Sequence, residues 1–154
     1  MRNDHGVEAT NKALEEALAE YEQHMQGGLW EAGLKIIGLA QKEAPVALGN
    51  LRNSAYVRSA SNTVIPDSSY DPLLGTIPDD SLKTLEVEVG FYANYAAAVH
   101  EDVEQKGKGT PRDGAPGTTW DTGGPKFLEG PLLRNKDGIL EILAARSDEF
   151  NKEL

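Results

Sequence analysis

The chain has no cysteine among its 154 residues. This absence excludes disulfide bonds, zinc sites built on thiolates and catalysis by a cysteine nucleophile. Long apolar runs are also missing, and none approaches the roughly 20 residues that a membrane-spanning helix requires. Apolar residues make up 39% of the chain and charged residues 26%. These proportions are typical of one globular domain with a single core.

Basic residues are scarce, with 15 Lys and Arg against 25 Asp and Glu, for a net charge of −10. Affinity for a phosphate backbone comes from clustered Lys and Arg. A slight basic excess occurs over residues 106–130, which contain Lys106, Lys108, Arg112 and Lys126. We therefore expect no tight nucleic-acid binding. DNA can still slide past an acidic surface without adhering to it, because like charges repel.

The first third of the chain has a helical pattern. Apolar residues recur at steps of three and four over residues 14–39, which is the spacing of one helix face. Thr10 and Asn11 are both good N-cap types. We therefore expect a flexible start over residues 1–9 and a long helix over residues 10–44.

Gly27 and Gly28 are poor helix formers within this pattern, but the spacing of the apolar residues continues unchanged across them. Each glycine costs about 1 kcal/mol relative to alanine inside a helix, yet the apolar stripe continues across the pair. This continuity favours one long helix over the alternative of two shorter ones. A small domain can cover only part of such a helix, so the remainder projects or packs on a neighbouring subunit. This is a first indication of an oligomer.

The helix is expected to end near Ala44, because Pro45 has no N–H and restricts the residue before it. Gly49 permits a tight turn with positive φ. Leu51 then begins an extended run, and we expect the first strand over residues 51–60.

The remaining elements follow from local composition. They are a loop at 61–81, in which Val64-Ile65 and Leu73-Leu74 can each add a short strand or an anchor, an alternating strand at 84–91 and a short helical turn at 92–101. A glycine-rich loop at 102–124 follows, then a helix that begins at Pro125 and a final helix at 136–152 that buries Ile139, Leu140, Leu143 and Phe150. The sequence thus predicts a single α+β domain with a long N-terminal helix, a small antiparallel sheet with long loops over residues 51–101, and a C-terminal helical region over residues 125–154.

Three sequence blocks occur one after another along the chain. Residues 44–54 read Ala-Pro-Val-Ala-Leu-Gly-Asn-Leu-Arg-Asn-Ser, residues 89–101 contain Tyr-Ala-Ala-Ala-Val-His-Glu, and residues 125–133 read Pro-Lys-Phe-Leu-Glu-Gly-Pro-Leu-Leu. The set resembles the neck or tail-completion proteins of long-tailed double-stranded DNA bacteriophages, also called minor capsid or head–tail connector proteins. That family shows Ala-Pro-x-x-Thr-Gly-x-Leu-x-x-Ser, then Tyr-Ala-x-x-Val-Glu, then Pro-Phe-Leu. The matching positions are Pro45, Gly49, Leu51, Ser54, Gly90, Tyr95, Ala96, Val99, Glu101, Pro125, Phe127 and Leu128.

The chain departs from the family pattern at three places. Leu48 stands where threonine is usual, His100 precedes Glu101, and Lys126 separates Pro125 from Phe127. The loop over residues 102–124 is also longer than the usual link.

The resemblance implies a non-enzymatic structural protein of the virion, assembled in the host cytoplasm and placed at the head–tail interface. It implies a ring, hexameric or alternatively dodecameric, that joins the portal-side connector to tail-terminator or tail-tube proteins. Genomic DNA would pass through the ring as cargo, and neither a membrane nor a cofactor is implied. An acidic face that includes Glu86 and Glu88, or the acids of the first helix, is then expected to line the channel.

Two other function classes stay open. A small hydrolase could use His100 as a general base oriented by Glu101, although no nucleophile with a partner accompanies the pair. A hydrogen-bonded pair in a structural turn is the simpler interpretation. A partner-binding module of prophage origin is the third class. His5 and His24 lack the spacing of metal ligands, so we expect neither a catalytic residue nor a metal site.

Trp120 lies in the polar loop over residues 102–124, and exposed aromatic residues in loops often anchor partners. The candidate interface residues are Trp120, Lys106, Lys108, Arg112 and Tyr92. By contrast, we expect core positions more often than interface positions for Tyr92, Tyr95, Phe127 and Leu128.

We predict that Trp120→Ala weakens assembly while it leaves the thermal stability of the monomer nearly unchanged, because an interface anchor adds little to the fold of the free subunit. Light scattering and thermal melts measure the two properties. A large fall in the melting temperature would contradict the interface role.

Overall fold

The computed structural model describes residues 4–45, 49–66, 68–101 and 125–153. A 40-residue helix precedes a short helix, three strands and three further helices. The elements are α1 (Asp4–Glu43), α2 (Asn50–Asn53), β1 (Ala55–Ser59), β2 (Thr63–Val64), β3 (Val87–Phe91), α3 (Ala96–Glu101), α4 (Glu129–Arg134) and α5 (Lys136–Glu153). This order confirms the predicted α+β class, with its long N-terminal helix, small antiparallel sheet and C-terminal helix.

Helix α1 runs without interruption through Gly27 and Gly28, which confirms one long helix and makes the two-helix alternative wrong. The expected start at Thr10 or Asn11 is also wrong, because the helix begins at Asp4. Instead of capping the helix, the Thr10 hydroxyl donates a hydrogen bond to the Gly6 carbonyl one turn earlier, at 2.8 Å.

Helix α5 packs antiparallel on the middle of α1. Near one end of the contact, the ring of Phe150 lies 5.3 Å from that of Tyr21 in an edge-to-face arrangement. Further along, a Cβ on Gly28 would lie 2.9 Å from Cγ of Arg146, so the glycine permits this close approach. Phe150 is buried as predicted, whereas Leu140 is 53% exposed because it lies on the solvent side of α5.

The junction after α1 turns where expected. Gly49 has φ +80°, and α1 ends at Glu43. However, the first strand does not begin at Leu51. The Asn53 N–H bonds to the Gly49 carbonyl at 2.9 Å, which closes the short helix α2. β1 therefore starts only at Ala55.

The sheet is antiparallel, with strand order β2-β1-β3. Val57 of β1 pairs with Val89 of β3 on one side and with Val64 of β2 on the other. The predicted strand at 84–91 begins later than expected, at Val87. Leu85 has φ +63°, and its N–H donates to the Gln26 side chain at 2.7 Å. This residue therefore connects the loop before β3 to α1 and is not part of the sheet.

Pro125 does not begin a helix, contrary to the expectation. Lys126 has φ +63°, which is incompatible with a first helical turn. α4 begins at Glu129 instead, and the Gly130 N–H bonds back to the Lys126 carbonyl at 2.7 Å.

The sheet packs on α1 through aliphatic side chains. Ile37, Ala40, Ala55 and Val57 form a fully buried cluster between the helix and the strands. At Gly33 the two layers approach so closely that a Cβ would lie 2.9 Å from Val87 and 3.1 Å from Val57.

Gly33→Ala should destabilise the fold by about 1–2 kcal/mol, since overpacking the core outweighs the gain in helix propensity. Gly27→Ala is the matched control, because a Cβ there meets nothing within 4 Å. The control should raise stability by up to about 1 kcal/mol. Urea unfolding of both variants measures the difference. Equal stabilisation by the two alanines would contradict the close packing.

Candidate functional site

The three sequence blocks that are separated along the chain meet in one apolar cluster. Block 44–54 contributes Ala44 and Leu51, block 89–101 contributes Ala93 and Ala96, and block 125–133 contributes Phe127. Phe91, Val99 and Leu128 pack against these five buried residues. The shared positions of the blocks therefore include the residues that hold α1, the sheet and the C-terminal region together.

Several of the matched residues have clear structural roles. Ser54 is fully buried, and its hydroxyl donates to the Leu51 carbonyl at 2.7 Å. Position 90 requires glycine, because a Cβ there would lie 2.9 Å from the Tyr56 ring on the neighbouring strand β1. Pro45 is buried at the end of α1. These positions stabilise the junction between the helix and the sheet.

The two tyrosines of block 89–101 differ from each other. Tyr92 is only 4% exposed, its hydroxyl accepts the Asp71 N–H at 3.0 Å, and its ring lies 5.1 Å from that of Tyr70. The core expectation for Tyr92 is therefore confirmed and its interface role is wrong. Tyr95 is 39% exposed, so its core assignment is wrong, although the burial of its hydroxyl raises its pKa.

His100 and Glu101 form a hydrogen-bonded pair beside the cluster. Nδ1 of His100 lies 2.7 Å from Oε1 of Glu101, while Oε2 of Glu101 accepts a bond from Lys126. Lys126 first, and then His100, lower the pKa of the Glu101 carboxyl. The Glu101–Lys126 ion pair thus ties the end of α3 to the segment before α4.

The ring of His100 also closes a small cleft. Its centroid lies 5.0 Å from that of Phe127 in an edge-to-face contact. The cleft has a volume of about 210 Å³, and its walls come from Phe91, Ala96, Ala97, His100, Phe127 and Leu128. These walls are apolar apart from the imidazole. They provide no serine, threonine or cysteine next to His100.

Arg58 is a buried cation that the sequence pattern did not reveal. It lies on β1, and its side chain is only 6% exposed. Its Nη2 donates at 2.7 Å to both Asp80 Oδ1 and Glu88 Oε2, and its Nη1 donates at 2.7 Å to the Asp80 carbonyl. Tyr56 donates to the same Glu88 carboxylate. The one available signal was that Arg58 lies among apolar strand residues.

The network changes the interpretation of Glu88. Hydrogen bonding by Arg58 lowers the pKa of Glu88, and burial with the Glu88 bond raises the pKa of the Tyr56 hydroxyl. Glu88 is therefore a paired carboxylate that joins β3 to β1, and Arg58 extends the network to Asp80 in the loop before β3. Its expected place on an acidic channel wall loses support, because Arg58 compensates its charge.

The N-terminal part of α1 extends past the region that α5 covers. We call residues 6–20 of α1 the arm. Val7, Leu14 and Leu18 of the arm are 63%, 58% and 53% exposed. They lie on the helix face that continues into Tyr21, which packs on α5. The arm thus carries an apolar stripe with no cover from the described residues.

The remaining candidate interface residues cannot be placed in this geometry. Trp120, Lys106, Lys108 and Arg112 lie outside the described residues, and so does the loop over residues 102–124. Leu48, where the family has threonine, also lies outside them.

The described residues contain neither a metal-binding cluster nor a membrane-spanning helix. In the ranges given above, no group of three or more His, Asp or Glu side chains is arranged to hold a metal ion. None of the described helices combines the length and the apolar character needed to cross a membrane. No family model, curated protein or solved structure matches the chain.

We predict that Glu88→Gln lowers stability near pH 7 by about 2 kcal/mol, because hydrogen bonds to charged groups are worth about 1.5–3 kcal/mol. The folded pKa of Glu88 lies below its ordinary value of 4.5. Its contribution is therefore present above about pH 4.5 and is lost as the pH falls through the folded pKa.

Urea unfolding at a series of pH values between 3 and 7 measures this contribution. The difference between the unmodified protein and Glu88→Gln should shrink as the solution becomes more acidic. Glu141→Gln, an exposed carboxylate outside the network, is the control and should leave stability nearly unchanged. A Glu88→Gln deficit that is constant over this pH range would contradict the ion-pair assignment.

Proposed function

We propose that this chain is a structural subunit of a ring at the head–tail junction of a long-tailed double-stranded DNA bacteriophage. In this role it joins the portal-side connector to the tail, with neighbouring tail-terminator or tail-tube proteins, and lets genomic DNA pass. The ring is a hexamer or, alternatively, a dodecamer. The protein acts in the virion and not as an enzyme.

The arm is the observation that carries the proposal. Three large apolar side chains of the arm are more than half exposed, and contiguous exposed apolar surface marks interaction sites. The domain has no further described element to cover this stripe. A subunit that packs on its neighbours supplies that cover, whereas an isolated monomer leaves it in water.

The apolar cluster adds support to the resemblance. Blocks 44–54, 89–101 and 125–133 are far apart in sequence, yet they meet at Leu51, Ala96 and Phe127. Three short matches in a chain have little weight when they are independent. Their convergence on one cluster is what a common fold would require.

The charge of the chain fits a role with DNA as cargo. The net charge of −10 disfavours adhesion of a phosphate backbone that passes close to the surface. Helix α1 contributes to this charge through Glu8, Glu15, Glu16, Glu20 and Glu22, all of which are exposed.

The two alternatives have narrower support. A partner-binding module would also use the arm, and it differs from a ring subunit in binding one foreign partner rather than further copies. A hydrolase would need a nucleophile beside His100, and the walls of the cleft at His100 do not provide one. The ring proposal therefore explains more of the described surface.

The mass of the protein in solution tests the proposal. Size exclusion coupled to light scattering, over a concentration series, should give a closed ring, or a monomer that forms rings once portal-side or tail proteins are added. A monomer that ignores these partners at every concentration would overturn the ring proposal and favour the binding module. Hydrolase activity that is lost in His100→Ala would favour the enzyme instead.

A further inference from the structure

Helix α1 carries two complementary surfaces at its two ends. We infer that the acidic arm of one copy docks in a basic groove on the C-terminal half of α1 of the next copy. The inference rests on the proposed ring and names the surfaces that would build it. Its occupant is a second copy of this chain.

The groove lies on the side of α1 that faces away from the sheet. It has a volume of about 630 Å³ and lies between α1, α2 and Asn135. Leu34 and Leu39 supply its apolar wall, and Leu34 is 38% exposed. Its charged lining consists of Lys35, Lys42 and Arg52, and no acidic side chain of the described residues lines it. In a chain with ten excess negative charges, these three cations form a local positive patch. Within it Arg52 donates to the Ala44 and Lys42 carbonyls at 2.9 and 3.2 Å, and Lys35 extends towards Gly138 of α5.

The floor of the groove lets another helix come close. Gly38 is part of the lining, and a Cβ on it would meet nothing within 4 Å. The glycine therefore leaves open space above the α1 backbone, and the nearby leucines provide apolar contact beside it. A helix with an apolar stripe and acidic flanks fits this combination.

The arm has this pattern. Glu8 and Glu15 of the arm and Glu22, two residues beyond it, recur every seven residues and so lie in one row, beside the stripe that Val7 and Leu14 begin. The one basic residue of the arm, Lys12, lies beside this row, four residues after Glu8, and forms an ion pair with Glu16 at 3.8 Å. The arm thus offers an apolar face with an acidic edge, which complements the leucines and cations of the groove.

The arm cannot reach the groove of its own copy. Leu14 and Gly38 are 24 residues apart on one continuous helix, a separation of about 36 Å at 1.5 Å per residue. Antiparallel pairing of two arms would bring two glutamate rows together, which like-charge repulsion opposes. Docking of the arm on the groove of another copy avoids both problems.

Such a contact is heterologous, because the two surfaces are different. Repeated head-to-tail contacts close into a ring when the rotation between copies permits it and otherwise extend into a filament. The structure thus provides a specific basis for a closed assembly of many copies from one type of contact.

Charge exchange between two variants tests the contact. The first variant reverses the charge of the glutamate row with Glu8→Lys, Glu15→Lys and Glu22→Lys. The second reverses the groove with Lys35→Glu and Lys42→Glu. Each variant alone should need an approximately hundredfold higher concentration to assemble, because like charges across an interface oppose association. Mixed in equal amounts, they should regain assembly, since each arm then meets a groove of opposite charge.

A steric variant tests the same contact without a change of charge. Gly38→Gln fills the groove and improves helix propensity, so the protein should fold at least as stably while its assembly weakens about tenfold or more. Leu73→Glu is the control, because Leu73 is 89% exposed and lies outside both surfaces. Thermal melts of all variants establish that they are folded.

Size exclusion with light scattering is performed under the conditions in which the unmodified chain forms its ring. Variants that assemble normally, or folded variants whose mixture stays monomeric, would overturn the arm-and-groove contact while the ring proposal stands. If the unmodified chain never assembles, with or without portal-side and tail proteins, both proposals are wrong. Weakening by the control alone would also overturn the contact.

Discussion

The sheet approaches α1 most closely at Gly33, where even a methyl group would lie 2.9 Å from Val87. This contact fixes the position of β1 and β3 on the helix, and the buried cluster around Ile37 and Val57 extends it. On another face of the same helix, Gly28 allows α5 to approach in the same way. The long helix therefore organises both halves of the domain through two glycines that side chains from other elements contact.

A second constraint joins the distant segments of the chain. Phe127 is 1% exposed and meets Phe91 in an edge-to-face contact at 5.0 Å. The ion pair between Glu101 and Lys126 and the buried network of Arg58 secure the polar edges of this arrangement. The motif residues thus stabilise the fold, and the proposed assembly uses other surfaces, the arm and the groove of α1.

Charge and apolar surface have different roles in the proposed assembly. The overall negative charge keeps phosphate from adhering, whereas the local basic groove selects an acidic partner. Exposed leucines provide the contact area, and the charges decide which surfaces meet. Both features occur on one helix, so the length of α1 determines the spacing between neighbouring copies in such a ring.

The sequence by itself determined the class of the fold, the single long helix and the antiparallel sheet, because periodicity records which face of an element is buried. It also located the turn at Gly49. Only the tertiary structure decided the ends of elements, since Thr10, Leu51 and Pro125 satisfy their local rules equally well in other conformations. It also decided the pairing of Arg58 with Glu88 and the exposure of Tyr95, because contacts between residues far apart in sequence leave no periodic signal. The groove beside Gly38 belongs to the same class, since it exists only where separate elements meet.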